Sequence, residues 1–215
     1  MGSLLERFHS GGPFMYAILA VGIFSVFLLS ERTFMLFFKA KRAPSTFRTQ
    51  LRAFIRNGDI IGAMEFSKAQ DNKLLSPIVS TACALRAAGA GDDEIQSRMD
   101  EALTEQISSL DRGTSFLAVV GNVATLIGLL GTISGMITSF ASVNGASAAD
   151  RAAKLSIGIS EAMNCTAFGL LVAIPALLGY ALFQNKTERT INWLTESVTK
   201  VYNDLIYSYD QKPQN

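Results

Sequence analysis

Glu161 is the ionisable side chain best placed to do chemistry in this sequence. It sits at the edge of a stretch, 162–185, that holds no Asp, Glu, Lys or Arg. A carboxylate near or inside lipid is costly unless it faces water or a partner, so a functional role is the first reading. The alternative places it among lipid headgroups, with the apolar span starting after it. Asn164, Cys165 and Thr166 follow closely. A second group lies upstream: Gly121, Thr125, Gly128, Gly131, Thr132 and Gly135, continued by Ser139. The glycines at 121, 128 and 135 recur every seven residues, as do Thr125, Thr132 and Ser139. Small residues let helices approach closely, and Gly131-x-x-x-Gly135 is a short close-packing motif. Hydroxyls on the neighbouring stripe can bond water or a polar group inside a bundle.

Other chemistries fail on inventory. The single histidine, His9, stands near the N-terminus, so no Ser–His or Cys–His pair is available within the apolar blocks. No phosphate-cradling glycine loop followed by lysine occurs, and Gly131-Thr-Ile-Ser134-Gly135 is not a nucleophile elbow. Cys83 and Cys165 lie in a charged segment and an apolar block, which predicts neither a disulfide nor a metal site. No cofactor is expected. The net charge of +1 points to neither nucleic acid nor an acidic partner.

The elements that must hold these residues follow from charge distribution. The 19 basic and 18 acidic residues all fall outside 13–30, 113–149 and 162–185, blocks of 18, 37 and 24 residues. About 20 apolar residues cross a hydrocarbon core, so three membrane-spanning helices are predicted. Glu6 and Arg7 cancel before the first block and no convincing cleavage site follows, which reads as a retained span rather than a leader. Lys39, Lys41, Arg42, Arg48, Arg52 and Arg56 follow span one, with Lys186 and Arg189 after span three. These put the N-terminus outside and 39–115 and 185–215 in the cytoplasm. Glu31 and Arg32, near the inner end of span one, read as snorkelling and pairing with each other.

The fold class is therefore all-α: an integral membrane protein with three transmembrane helices, two of them extended as long helices into the cytoplasm. The order is an outer interfacial amphipathic helix (1–12), span one (13–38), a cytoplasmic helical region (39–115), span two (116–143), a short outer loop (144–157), span three (158–184) and a cytoplasmic helix with a tail (185–215). Asn57-Gly58-Asp59 predicts a turn with a cap, and Ser76-Pro77 a helix start. No proline occurs between Asp92 and Pro175, so one continuous helix is expected over 92–143, roughly 78 Å long. A second runs over 156–208, with Ile191, Leu194, Val198, Val201 and Leu205 as a packing seam and a kink at Pro175. Such rods call for cover by other subunits; packing on each other and on helices 44–90 is the alternative. Counting depth from the span midpoints sets Thr132 and Thr166 at one level, roughly 5–7 Å outside the membrane centre. Ala162, Thr166, Gly169 and Ala173 share a small-residue stripe, from which Glu161 is rotated by about 140° relative to Thr166. Thr132 and Thr166 would form one polar ring in an oligomer, with Glu161 facing the lumen or a subunit boundary.

NVATLIGLLGTISGMITSF (122–140) and GISEAMNCTAFGLLVAIPA (158–176) resemble the MotA/TolQ/ExbB proton-channel family, nearest its three-span ExbB/TolQ branch. Glu161, Thr166, Gly169 and Pro175 hold the family spacing, while Thr125 stands where proline is common and Asn164 and Cys165 replace small residues. The resemblance implies a homopentamer in the bacterial inner membrane, the outer loop being periplasmic. Inside it sit single-span helices of an ExbD/TolR-like partner, whose membrane aspartate binds and releases the proton. It makes Thr132 and Thr166 the pore threonines and Glu161 the family glutamate, in a proton pathway packed by Gly128, Gly131, Gly135, Gly169 and Pro175. It further implies conversion of proton motive force into work for TonB-dependent uptake or Tol-type envelope function, with a TonB/TolA-like protein as a further partner. A gliding-type stator and a non-conducting scaffold remain the alternatives.

Overall fold

A computed structural model describes residues 12–36, 43, 45–70, 72–144 and 147–207. Except for Gly12, the outer amphipathic segment 1–12 lies outside the described residues, as do the basic residues Lys39, Lys41 and Arg42. Seven α-helices are described: α1 (Phe14–Phe34), α2 (Ser45–Arg56), α3 (Ile60–Ala69), α4 (Leu75–Ala87), α5 (Asp92–Asp111), α6 (Thr114–Ser142) and α7 (Ala148–Tyr207). No strand occurs among the described residues. Three stretches are long and apolar enough to cross a membrane: α1, the α5–α6 stretch and α7 contain 18-residue runs of mean hydropathy 2.0, 2.1 and 2.0.

The chain divides into two units, one of residues 1–32 and 113–182, the other of 33–112 and 183–215. In the first, α1, α6 and the first half of α7 pack through small residues. A Cβ on Gly128 would meet the Cys165 carbonyl at 3.2 Å and Gly169 Cα at 3.3 Å, and one on Gly135 would meet Ala162 Cβ at 3.2 Å. The heptad of glycines is thus the face of α6 that lies on α7, backbone against backbone. The stripe Ala162, Gly169, Ala173 is buried in return. Met15, Ile18 and Cys165 form a small core where α1 joins, with Phe14, Ile127, Phe168 and Val172 around it.

The second unit packs by bulk. Phe47, Leu51, Ile55, Leu75, Ile78 and Ile95 are fully buried there. Local chemistry fixes its turns: Gly58 takes φ 74 after α2, and the Asp59 carboxylate accepts the Gly62 N–H at 2.8 Å to cap α3. Asp92, Asp93 and Glu94 fill the first turn of α5, where the helix dipole favours negative charge. Arg86 ties α4 to that turn through Asp92 at 2.7 Å. Burial pushes the Cys83 thiol up to about 11.

Four expectations are corrected. The helix over 92–143 is not continuous: Arg112 leaves helical geometry (φ −57, ψ 121) and Gly113 adopts φ 91, a left-handed conformation that glycine enters at no steric cost. The loop predicted over 144–157 is shorter, because α7 already begins at Ala148. Ser147 caps it by accepting the Asp150 N–H at 3.3 Å. At α4 the cap is the Asn72 side chain, which accepts from Leu74 and Leu75 N–H at 3.2 and 2.8 Å, while Ser76 bonds Ser67 instead. Finally, the seam Leu194, Val198, Val201, Leu205 is buried within one chain rather than awaiting other subunits. Arg52 pairs with Asp204 at 2.9 Å, and Tyr202 donates to Gln96 at 3.0 Å, binding that end of α7 to α2 and α5. Helix α7 runs through Pro175 without a break.

Candidate functional site

The hydroxyls of α6 mostly turn back on their own helix. Thr125 donates to the Gly121 carbonyl at 3.1 Å, Thr132 to Leu129 at 2.6 Å and Ser139 to Gly135 at 2.7 Å. Their oxygens keep acceptor capacity, so each can still meet a donor from outside. Thr166 differs: its hydroxyl crosses from α7 and donates to the Gly128 carbonyl at 3.3 Å. In an α-helix that carbonyl also accepts the N–H of the residue four positions on, which is Thr132. The Thr166 hydroxyl and the Thr132 backbone amide therefore converge on one oxygen, while the Thr132 hydroxyl is held by the Leu129 carbonyl. Both threonines are half-buried.

Their side of the helix pair follows from rotation. At about 100° per residue, Thr132 and Thr125 lie about 40–60° to one side of Gly128, while Ile127 lies about 100° to the other. On α7, Thr166 lies to one side of Ala162, and Cys165, Phe168 and Val172 to the other. Helix α1 covers the latter edge: Phe14, Met15 and Ile18 pack with Ile127, Cys165 and Phe168. Because α6 and α7 are antiparallel, both threonines then fall on the edge that α1 leaves open.

Glu161 is not brought to them. It is half-buried on the α1 side of α7, its carboxylate against Gly12, and any Cβ on Gly12 would collide with that carboxylate. Gly12 also takes φ 69, so both space and backbone demand glycine there. Gly131 lies against the Cys165 side chain, with a Cβ only 2.7 Å from Cys165 Cβ, on the same edge as Phe14. Pro175 is exposed, and its missing N–H leaves the Leu171 carbonyl without its usual helical donor. No cluster of three metal-binding side chains occurs among the described residues.

Some features escaped the sequence reading. Arg32 is buried, 4% exposed, with its guanidinium against Gly113, whereas Glu31 is exposed. The arginine thus packs at the start of α6. Gly22 admits Val172 against α1, at 3.1 Å from a would-be Cβ. A glycine inside each apolar span was the available signal; which face it opened was not.

An all-α membrane protein with three apolar helices, two of them joined through glycines and carrying threonines along one edge, is the class that the fold defines. Residues 68–196 match the sequence model of the MotA/TolQ/ExbB proton channel family, which is more than half of the chain. The chain belongs to that family. It is 24% identical over 217 residues to an ExbB-like biopolymer transport protein of Synechocystis sp., an alignment covering 99% of this chain and 84% of that protein. It is 40% identical over 82 residues to the Tol-Pal system protein TolQ of Haemophilus influenzae, covering 38% of this chain and 36% of TolQ. The structure of C. jejuni MotAB is similar in fold, with a TM-score of 0.57 and 15% identity over all of this chain and 90% of that one.

Proposed function

We propose that the chain is the proton-channel subunit of an inner-membrane motor, assembled as a homopentamer around an ExbD/TolR-like single-span partner. The observation that carries this reading is the Thr166 hydroxyl bond to the Gly128 carbonyl, one helical turn from Thr132, on the edge that α1 leaves uncovered. Among the described residues that edge holds hydroxyls and no ionisable group of its own. It can solvate a charge without storing one, so the titrating acid must come from another chain. A central aspartate on the partner helix fits. Crossing 100 mV delivers about 2.3 kcal/mol per proton, so work builds over several protons and passes into movement of the inner helices against the pentamer.

In this arrangement Glu161 lies away from the lumen, at the α1 edge, and acts in packing the start of α1. The N-terminus faces the periplasm and the second unit lies in the cytoplasm, as the basic residues after spans one and three favour. TonB-dependent uptake and Tol-type envelope function are the two processes in view.

The test is proton flux into liposomes holding the complex. Replacing Thr132 and Thr166 together by valine keeps the approximate shape and removes both hydroxyls. Flux should fall by about tenfold or more, given roughly 1 kcal/mol for each hydrogen-bonding group lost. Unchanged flux in the double variant defeats the reading, and so does a wild-type complex that conducts nothing.

A further inference from the structure

Thr166 spends its hydroxyl hydrogen on a bond between helices, and that bond is long. At 3.3 Å it lies beyond the usual range for a hydroxyl donor. It exists because two glycines let the backbones meet: a Cβ on Gly169 would lie 2.9 Å from the Ala124 carbonyl and 3.0 Å from Gly128 Cα. A hydroxyl has one hydrogen and serves one acceptor at a time. An ionised carboxylate is a stronger acceptor than a carbonyl, giving bonds roughly twice as strong.

We infer that Thr166 is a positioning residue with two alternative acceptors. It ties α7 to α6 through the Gly128 carbonyl, and it gives up that tie when an ionised carboxylate of a partner helix faces it. The inference rests on the proposed function for the existence of that carboxylate. When the partner acid is protonated it donates to the Thr166 oxygen, and the threonine hydrogen stays on Gly128. When the acid is ionised it takes the threonine hydrogen bond. No proton leaves Thr166 in either state; the acid alone gains and loses one. The occupancy of a single proton then decides whether α6 and α7 are tied at the Gly128 level.

The other groups that could titrate near this seam are few. Helix α6 carries no ionisable side chain. Helix α1 carries Tyr16, Glu31 and Arg32. In the first unit α7 itself carries Asp150, Arg151, Lys154, Glu161, Cys165 and Tyr180, of which Glu161 lies at the opposite edge, against Gly12. Glu161 is thus the control.

Carbonyl-labelled glycine paired with nitrogen-labelled leucine leaves two signals from this chain, Gly128 and Gly169, which alone precede a leucine, and Leu170→Ile removes the second. The complex is purified from its own membranes, returned to liposomes, and followed by solid-state NMR from about pH 4 to 9, a range that brackets a shifted carboxylate. The Gly128 carbonyl should move with pH in the wild type. It should be fixed in Thr166→Val at the position of a carbonyl lacking the hydroxyl, and move again in Thr166→Ser. Glu161→Gln should leave the titration in place. A wild-type signal that ignores pH, a Thr166→Val signal that still moves, or a titration abolished by Glu161→Gln each overturns the inference. Proton flux is read on the same liposomes. Flux with a flat Gly128 signal removes the exchange alone, whereas a moving Gly128 signal without flux removes the conducting role and leaves the exchange standing.

Discussion

Between Gly158 and Ala176, α7 meets its neighbours through Gly158, Ala162, Cys165, Gly169, Ala173 and Ala176; between Phe183 and Leu205 it does so through Phe183, Leu194, Val198, Val201 and Leu205. One helix changes its packing rule partway along. The reason is the solvent. Where water surrounds the protein, burying a leucine or valine side chain stabilises by about 1.5–3 kcal/mol, so size is rewarded. In hydrocarbon that gain vanishes, because lipid is as apolar as leucine, and close contact of small residues does the joining. The glycine face of α6 would be a weak seam in water. The leucine seam near the C-terminal end would be a weak one in lipid.

The sharpest way to break the contrast is to exchange the rules. Leu194→Ala should cost about 3 kcal/mol, since the side chain is fully buried and leaves a cavity; reversible unfolding of the purified protein in mild detergent measures it. A loss under about 1 kcal/mol would show that bulk matters little there. Gly169→Ala adds a methyl where the α6 backbone stands, and should cost about 2 kcal/mol and separate the helices. The same change at Gly91, where a Cβ meets nothing within 4 Å, should cost less, about 0.5–1 kcal/mol, because Gly91 is the N-cap of α5 and alanine caps poorly. Equal effects at both glycines would erase the distinction between the regions.

Two smaller predictions concern the second unit. With the Cys83 thiol raised from 9.0 to about 11 by burial, the unfolded thiol ionises first. Cys83 should therefore leave stability unchanged below pH 9 and lower it as pH rises from 9 towards 11, with Cys83→Ala flattening that slope. Alkylation at pH 8 followed by mass spectrometry should leave Cys83 unmodified until the chain unfolds. Asp59→Ala removes the acceptor for the Gly62 N–H and should cost about 1 kcal/mol, read in the same unfolding experiment.

Periodicity made the membrane helices and their small-residue stripes legible, because spacing alone decides which residues share a face. It also placed Thr132 and Thr166 at one level. Spacing does not say which partner a face meets. The stripe of Ala162, Gly169 and Ala173 finds α6, and Glu161 finds Gly12 across a gap in the sequence of nearly 150 residues, a contact no local pattern encodes. The missed break at Gly113 has a different cause. Its helical flanks predict continuation, and the non-helical backbone of Arg112 with the left-handed Gly113 interrupts them. The early start of α7 was readable in Ser147 and Asp150, whose spacing suits a cap, but the polar composition of 148–157 suggests a loop first.

Helix α7 has 60 residues without interruption, about 90 Å of axis. A hydrogen-bonded rod of that kind resists torsion far better than a hinged chain does. Torsion applied beside Thr166 is met first at Pro175, about 14 Å further along, where one bond of that ladder is missing.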